Sequence, residues 1–479
     1  MQISQLYDIY LRHPSIRTDT RQLKQGDLFF ALKGPNFNGN AFATRAFELG
    51  AAYAIIDETP DQSSPDGSQP APVNSDRLIV VPDVLSTLQE LALHHRRQFD
   101  IPFIAITGSN GKTTTKELVH ATLASTYTTY TTQGNLNNHI GIPLTILSVG
   151  KDAQFAVIEM GANHQKEIEA YCRYTLPTHG IITNVGKAHL EGFGGPEGVK
   201  KGKGELYDFL RSTQVPAIGS GSAAGTAFVL RDSADLIQMS CGIPHLITYG
   251  TRDADITGVV ASPPQAATGT TSEALLKVDI TRGAATGPIQ TQLVGDYNLP
   301  NVLVAVAVGR HFGVPDAAIR NAIEQYTPSN SRSQLIERDG LHIILDAYNA
   351  NPSSMRAAIE NFARLPIPGA APGQPAGPGT QAPDPNAPGS PSRKVLILGA
   401  MAELGPESLA EHQAIIDLIG QYPWQQVVLV GGDFRHLSHP YLSFANSKEA
   451  GRWLAGVGLK DSYLLIKGSR SMKMEEVLG

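Results

Sequence analysis

The chain has 479 residues, enough for about three domains with sizeable cores at ~150 residues each. Its 38 Lys+Arg against 44 Asp+Glu leave a formal net charge of −6, which excludes the basic surface needed to wrap nucleic acid or lie on an anionic membrane. Charged residues at 17% and apolar residues at 41% exclude disorder throughout, and two cysteines, Cys172 and Cys241, are too few for a disulfide framework or a structural zinc site.

The N-terminus, Met1-Gln2-Ile3-Ser4-Gln5-Leu6, lacks the basic start and apolar run of a signal peptide. No apolar run approaches the ~20 residues that span a bilayer. A cytoplasmic protein with no membrane insertion is expected, and modest charge on self-contained domains points to a monomer. Residues 1–97 mix short strands and helices. Asp27 to Leu32 reads as a strand, Phe42 to Leu49 as a helix, Ile55-Ile56 as a strand and Leu85 to Phe99 as a helix. Between them Thr59 to Asp76, rich in Pro, Ser, Asp and Gln, reads as a surface loop.

Across 98–312 short apolar runs alternate with helical stretches. Phe103 to Thr107, Phe155 to Ile158 and Gly180 to Asn184 are strands, and Asn298 to Phe312 is a buried helix. This alternation predicts an α/β fold with a mostly parallel, doubly wound sheet. Gly219 to Gly225 and the Thr/Gly-rich region Pro263 to Gly287 read as punctuation. In 313–479 the pattern repeats, with strands at His342 to Leu345, Lys394 to Leu398, Gln426 to Val430 and Tyr463 to Ile466. From Pro366 to Pro391, 14 of 26 residues are Pro or Gly with one charge and no aromatic, so a disordered insertion is expected there.

The sharpest motif is Thr107-Gly108-Ser109-Asn110-Gly111-Lys112-Thr113-Thr114-Thr115, placed after a strand and opening a helix in which Leu118, Val119 and Leu123 share an inner face. Glycines let backbone N–H groups converge on phosphate oxygens, the helix N-terminus adds positive potential, Lys112 neutralises β/γ charge and Thr113 can ligate Mg²⁺. A bare Gly-Lys-Thr arises by chance roughly 0.1–0.3 times in a chain of this length, so the strand–loop–helix context carries the inference. Ile106 stands where the usual loop has glycine. Glu159, Asn184 and Asp346 then stand at strand ends, where ligands of doubly wound sheets bind. Glu159 is a hard oxygen donor suited to Mg²⁺. His189, whose imidazole prefers softer metals, reads on its own as a hydrogen bonder. The Asn-rich clusters Gln133 to His139 and Tyr348 to Pro352, and Lys467-Gly468-Ser469-Arg470, are either turn chemistry or amide surfaces that read a peptide or sugar.

Together these motifs resemble the ATP-dependent Mur ligases of peptidoglycan synthesis, in order and over nearly the whole chain. Asp19-Thr20-Arg21 with Gly26 to Gly34 is similar to their UDP-binding N-terminal domain. Thr107 to Thr115 is similar to their form of phosphate loop, in which Ile106 is expected. Asn135-Leu136-Asn137-Asn138 resembles their substrate-facing loop, and Glu159-Met160-Gly161 with Thr183 to Glu191 resembles the stretches supplying Mg²⁺ ligands. Asp346 to Met355, Gly399 to Gly405 with His412, and Leu465 to Glu475 resemble the branch that adds a dipeptide. Leu345 and Ala400 stand where that branch often has aspartate, and Lys166 where glycine is common.

The resemblance implies three α/β domains: a UDP-substrate domain at 1–97, a central P-loop ATPase domain at 98–312 and a Rossmann-like ligase domain at 313–479. It implies ATP and Mg²⁺ as cofactors, and UDP-MurNAc-tripeptide and D-Ala-D-Ala as substrates joined through an acyl phosphate. Gly108, Ser109, Asn110, Gly111, Lys112, Thr113 and Thr114 would cradle the phosphates, and Asn301, Arg332 and Asp346 would meet the nucleotide. Thr113, Glu159 and His189 would hold the metal. Lys203, 14 residues after His189, stands where sister ligases carry a carbamylated lysine. Thr20, Arg21, Asn137, Asn138, Asn349 and Asn351 are the substrate-side candidates. The alternatives are a sister ligase adding one amino acid and a non-catalytic sensor of UDP-sugar nucleotides.

Overall fold

Runs of five buried residues, such as Phe103–Thr107 and Phe155–Glu159, have no solvated face and belong in a parallel sheet covered on both sides. The computed structural model, which describes residues 1–59, 75–212, 215–217, 224–261, 275–328, 332–365 and 393–479, places them side by side in a nine-stranded sheet. The strands lie in the order Ile289–Val294, Leu275–Arg282, Ile256–Val260, His245–Gly250, Thr226–Leu230, His179–Ile182, Phe103–Thr107, Phe155–Glu159, Thr129–Thr131. All pair in parallel except the first three, which pair antiparallel with one another. The chain leaves Phe103–Thr107 between neighbours that come later in sequence and lie on its two sides. Such a switch point opens a crevice beyond the carboxyl ends of the strands.

Helix Lys112–Ala124 follows, with Leu118, Val119 and Leu123 fully buried as the spacing predicts. It packs on helix Leu299–His311, which is apolar all round and buried from Leu299 through Gly309 save Pro300. A helix apolar on every side must sit between other elements.

A four-stranded parallel sheet precedes this one, in the order Ile16–Arg17, Leu28–Phe30, Tyr53–Ile56, Leu78–Val80. Helix Val84–Arg96, N-capped by Asp83 Oδ1 accepting from Ser86 N at 2.7 Å, ties it to the central layer. There the buried Arg96 donates to the carbonyls of Thr175, Leu176 and Phe99 at 2.9–3.0 Å, with its guanidinium 3.8 Å from the Phe103 ring centroid. It thereby satisfies the carbonyl end of helix Glu167–Thr175.

The third sheet has six strands, in the order Gln334–Arg338, Leu341–Asp346, Tyr463–Lys467, Lys394–Gly399, Gln426–Val430, Leu442–Phe444, with only the first antiparallel to its neighbour. Asp346 and Lys467 are paired at the carboxyl ends of adjacent strands.

Element positions follow the sequence reading to within a few residues, and the differences have causes. Asp27 lies outside its strand because its carboxylate accepts from Arg17 Nε at 3.2 Å and Lys24 N at 2.9 Å. The latter half of Pro263 to Gly287 is no punctuation: Leu275–Arg282 alternates burial as a strand between Ile256–Val260 and Ile289–Val294. The expected loop over 60–74, the stretch 218–223 and the expected insertion over 366–391 lie outside the described residues. Among the described residues no helix is long and apolar enough to cross a membrane.

Candidate active site

The turn after Phe103–Thr107 is bent by two glycines. Gly108 has φ +141° and an added Cβ would lie 2.0 Å from Thr183 Oγ1; Gly111 has φ +77° and its Cβ would lie 2.9 Å from Asn301 Oδ1. Only glycine combines such dihedrals with such close approach. The neighbouring loop after His179–Ile182 holds the turn. Asn184 Oδ1 accepts from Asn110 N at 3.1 Å, Thr183 Oγ1 donates to Asn110 O at 2.6 Å, and Ser109 Oγ donates to Gly186 O at 2.7 Å. Lys112 begins the helix and folds back, donating to Gly108 O at 2.7 Å and Ser109 O at 3.2 Å. Desolvation pulls its pKa down to about 8; Glu159 opposes that and Arg332 adds to it.

Glu159 ends its strand almost wholly buried. Its Oε1 accepts from Thr113 Oγ1 at 3.1 Å and Asn137 Nδ2 at 2.8 Å, while its Oε2 is buried with no hydrogen-bond partner. An unpaired buried carboxylate oxygen costs free energy unless something positive meets it. Thr113 and Glu159 are hard oxygen donors beside a phosphate cradle, which suits Mg²⁺, an ion that takes one or two protein oxygens and completes its shell with water and phosphate. No group of three or more His, Cys, Asp or Glu forms a ready metal cluster among the described residues.

Across the cleft stand the carboxyl ends of the third sheet. Asp346 accepts from Lys467 Nζ at 2.5 Å and Ser333 N at 3.2 Å, and Lys467 also donates to Asn349 O at 3.2 Å. Arg332 stacks on Tyr348, 3.6 Å from its ring centroid. Tyr297 meets Ser333 Oγ at 3.0 Å, and burial together with Asp346 pushes its phenol pKa up. His189, in the left-handed region at φ 51°, faces Glu403 from the third sheet's loops and holds that carboxyl below its ordinary range. These walls enclose a cavity of about 860 Å³, the size of a small-molecule site.

Ser109 to Thr114, Asn137, Asn138, Glu159, His189, Asn301, Arg332, Asp346, Asn349 and Asn351 all line this cavity. Several are already engaged within the protein. Asn137 orients Glu159, and Asn138 Oδ1 accepts from Gly141 N at 2.9 Å at the start of helix Gly141–Leu147. Asn301 lies beneath the loop between Thr115 and Asn298, and Asn349 Oδ1 turns back onto Ala350 N at 2.8 Å. Thr20 and Arg21 are not brought to the cleft; Arg21 is spent on Asp19, whose carboxyl it pulls down to about 2. Lys203 also lies behind the wall, its Nζ donating to Ala162 O at 3.0 Å and 4.8 Å from the Phe193 ring centroid; burial holds its pKa well below the ordinary value. Tyr297 and Ser333 line the cavity and carry no motif signal, while Ser353, also on the wall, falls within the Asp346 to Met355 motif without being singled out by it. Lys467 and Glu403 stand in recognisable motifs, but their partners are far off in sequence.

A phosphate-loop crevice in one doubly wound sheet, faced by the strand ends of a second, defines a nucleotide-dependent α/β enzyme. Residues 14–96 match the Mur ligase family catalytic domain and residues 106–309 the Mur ligase middle domain. The chain is 31% identical over 477 residues to the UDP-N-acetylmuramoyl-tripeptide–D-alanyl-D-alanine ligase of Bacillus subtilis, covering 97% of this chain and 92% of that one. It is also 31% identical to the enzyme of the same name from Escherichia coli, with the same coverage. A crystal structure of MurF from Acinetobacter baumannii superimposes with a TM-score of 0.76 at 27% identity, covering 97% and 92% of the two chains. MurF from Thermotoga maritima in complex with ADP has the same fold, with a TM-score of 0.77 at 24% identity, covering 98% and 97%. The chain belongs to the Mur ligase family.

Proposed function

We propose that this chain is the ATP-dependent ligase that joins D-alanyl-D-alanine to UDP-N-acetylmuramoyl-tripeptide, giving the pentapeptide, ADP and phosphate. Near-full-length similarity to ligases of that name supports the substrates. The observation that carries the chemistry is the phosphate cradle and the half-satisfied Glu159, facing Asp346 and Lys467 across one cleft. Forming an amide from a carboxylate in water is uphill, because carboxylate oxygen leaves poorly. ATP phosphorylates the tripeptide's terminal carboxylate, ADP departs, and the dipeptide amine then attacks the acyl carbon and releases phosphate.

Phosphoryl transfer asks the protein mainly for positioning and charge neutralisation. Gly108 to Gly111 bend the loop around the phosphates, with the N–H groups of Ser109 and Asn110 held by Asn184, Thr114 lines the wall, and Lys112 leaves its loop carbonyls to meet the β/γ charge. Thr113 and Glu159, with His189 elsewhere on the same cavity wall, would hold Mg²⁺, which when bound screens phosphate charge and orients the γ-phosphoryl. Asn301 and Arg332 form the nucleotide's outer walls, with Asp346 held in place by Lys467. Asn349 faces the acceptor side. Thr20 and Arg21, on the first sheet's side and away from the cleft, are assigned to the distant UDP end. Two lobes meeting over the reacting atoms exclude the water that would hydrolyse an acyl phosphate.

The test is phosphate release with ATP, Mg²⁺ and UDP-MurNAc-tripeptide, with and without D-Ala-D-Ala. Release dependent on the dipeptide is expected. Release with a single amino acid in its place would transfer the chain to a sister activity.

A further inference from the structure

Asn351 is one of the substrate-side residues that the family resemblance implies, yet both ends of its amide are occupied. Its Oδ1 caps helix Pro352–Arg364, accepting from Ser354 N at 2.9 Å, and its Nδ2 crosses the cleft to donate to Asn110 Oδ1 at 2.7 Å. At 6% exposed it has little surface left for a ligand. Asn110 is the phosphate-loop residue whose backbone is already gripped by Thr183 and Asn184. Its side chain is therefore the part of the loop that the third sheet's lobe holds directly. The same helix start makes a second contact: Ser353 Oγ accepts from Lys187 N at 3.0 Å, and a Cβ on Gly186 would lie 2.9 Å from that hydroxyl. The N-terminus of helix Pro352–Arg364 thus lies directly on both loops that shape the phosphate site.

We infer that Asn351 is a positioning residue: through Asn110 it fixes the phosphate loop in its working geometry only while the third sheet's lobe is docked. The inference rests on the reading of that loop as the ATP site. When the lobe swings away, the amide–amide bond breaks and the loop keeps only its tethers within the central sheet. Docking and competence for phosphoryl transfer are thereby linked, and ATP bound to an undocked protein is not exposed to wasteful hydrolysis.

The test uses Asn351→Ser and Asn110→Ser, singly and together, in the full chain. Serine caps a helix start nearly as well as asparagine, so Asn351→Ser keeps the cap while its hydroxyl falls short of Asn110. A misplaced loop costs up to ~100-fold in rate. Asn351→Ser should therefore lose about 10- to 100-fold in kcat, with KM for ATP, calorimetric ADP affinity and thermal midpoint changed less than about threefold or by a few degrees. The double variant should lose no more than the worse single one, because one bond is removed in each case. Losses that multiply in the double variant, an unchanged kcat in Asn351→Ser, or a loss confined to KM would overturn the inference. If the unsubstituted protein binds no ADP, the nucleotide reading falls and takes this inference with it. Normal ADP binding and turnover with an indifferent Asn351→Ser refutes this inference alone.

Discussion

Lys112 offers a prediction that can be worked through. Its ammonium is desolvated and donates to two loop carbonyls, and burial brings its pKa to about 8 against an ordinary 10.5. Between those values the unfolded chain holds a proton that the folded chain has released. The charged lysine therefore weakens the free protein below pH 8, and the penalty is relieved as pH rises toward 10.5. Nucleotide phosphates arriving beside it reverse the balance and favour the ammonium. Binding ADP should thus draw a proton onto Lys112, about 0.5 at pH 8, about 0.9 at pH 9 and under about 0.1 at pH 7. Terminal phosphates, with a second pKa near ~6, are already ionised above pH 8 and do not confuse the count. Calorimetry of ADP binding in two buffers of different ionisation enthalpy reads the uptake directly. Apparent ADP affinity should fall tenfold per pH unit above 8, and Lys112→Met should abolish both effects. Equal uptake in Lys112→Met, or none at pH 9 in the native protein, would refute the assignment of this lysine to the phosphates.

Two further outcomes concern stability. Arg96→Met keeps the volume over Phe103 but strips donors from three carbonyls; at ~1–3 kcal/mol for each buried acceptor left unpaired, partly offset by packing, the cost should be about 3–5 kcal/mol. Urea unfolding followed by circular dichroism measures it, and a loss below about 1 kcal/mol would show that water replaces the guanidinium. His179 is buried against Phe228, His311 and Phe312, with its pKa pushed down to about 3 by desolvation and by His311 and His245. Below pH 6.5 the unfolded chain takes up a proton that the folded one refuses, so stability should fall by about 1.4 kcal/mol per pH unit toward pH 3 on its account. His179→Phe should flatten that slope by this amount, and an unchanged slope would acquit the residue.

Much of the architecture could be read directly from residue order. Apolar runs such as Phe103-Ile104-Ala105-Ile106 carry their own burial, and Thr107 to Thr115 announces a loop whose glycines and helix start act locally. The strand Leu275–Arg282 was hidden because it lies at the antiparallel side of the sheet, where alternate residues face solvent and Thr and Arg mimic a loop. Lys467 could not be matched to Asp346 beforehand, since their pairing depends on two strands, 121 residues apart, lying side by side in one register.

The asparagines mark the boundary most clearly. Sequence determines that Asn110, Asn137, Asn301 and Asn351 are amides in loops or at helix starts, chemically able to meet a ligand. Tertiary packing alone decides that Asn137 turns to Glu159, Asn301 to Thr115 and Asn351 to Asn110. The physical reason is that an amide has no intrinsic preference between a substrate and a neighbour. A buried donor takes whichever acceptor the fold brings within about 3 Å, and that distance is set by how the central sheet's elements pack with one another and against the third sheet's lobe.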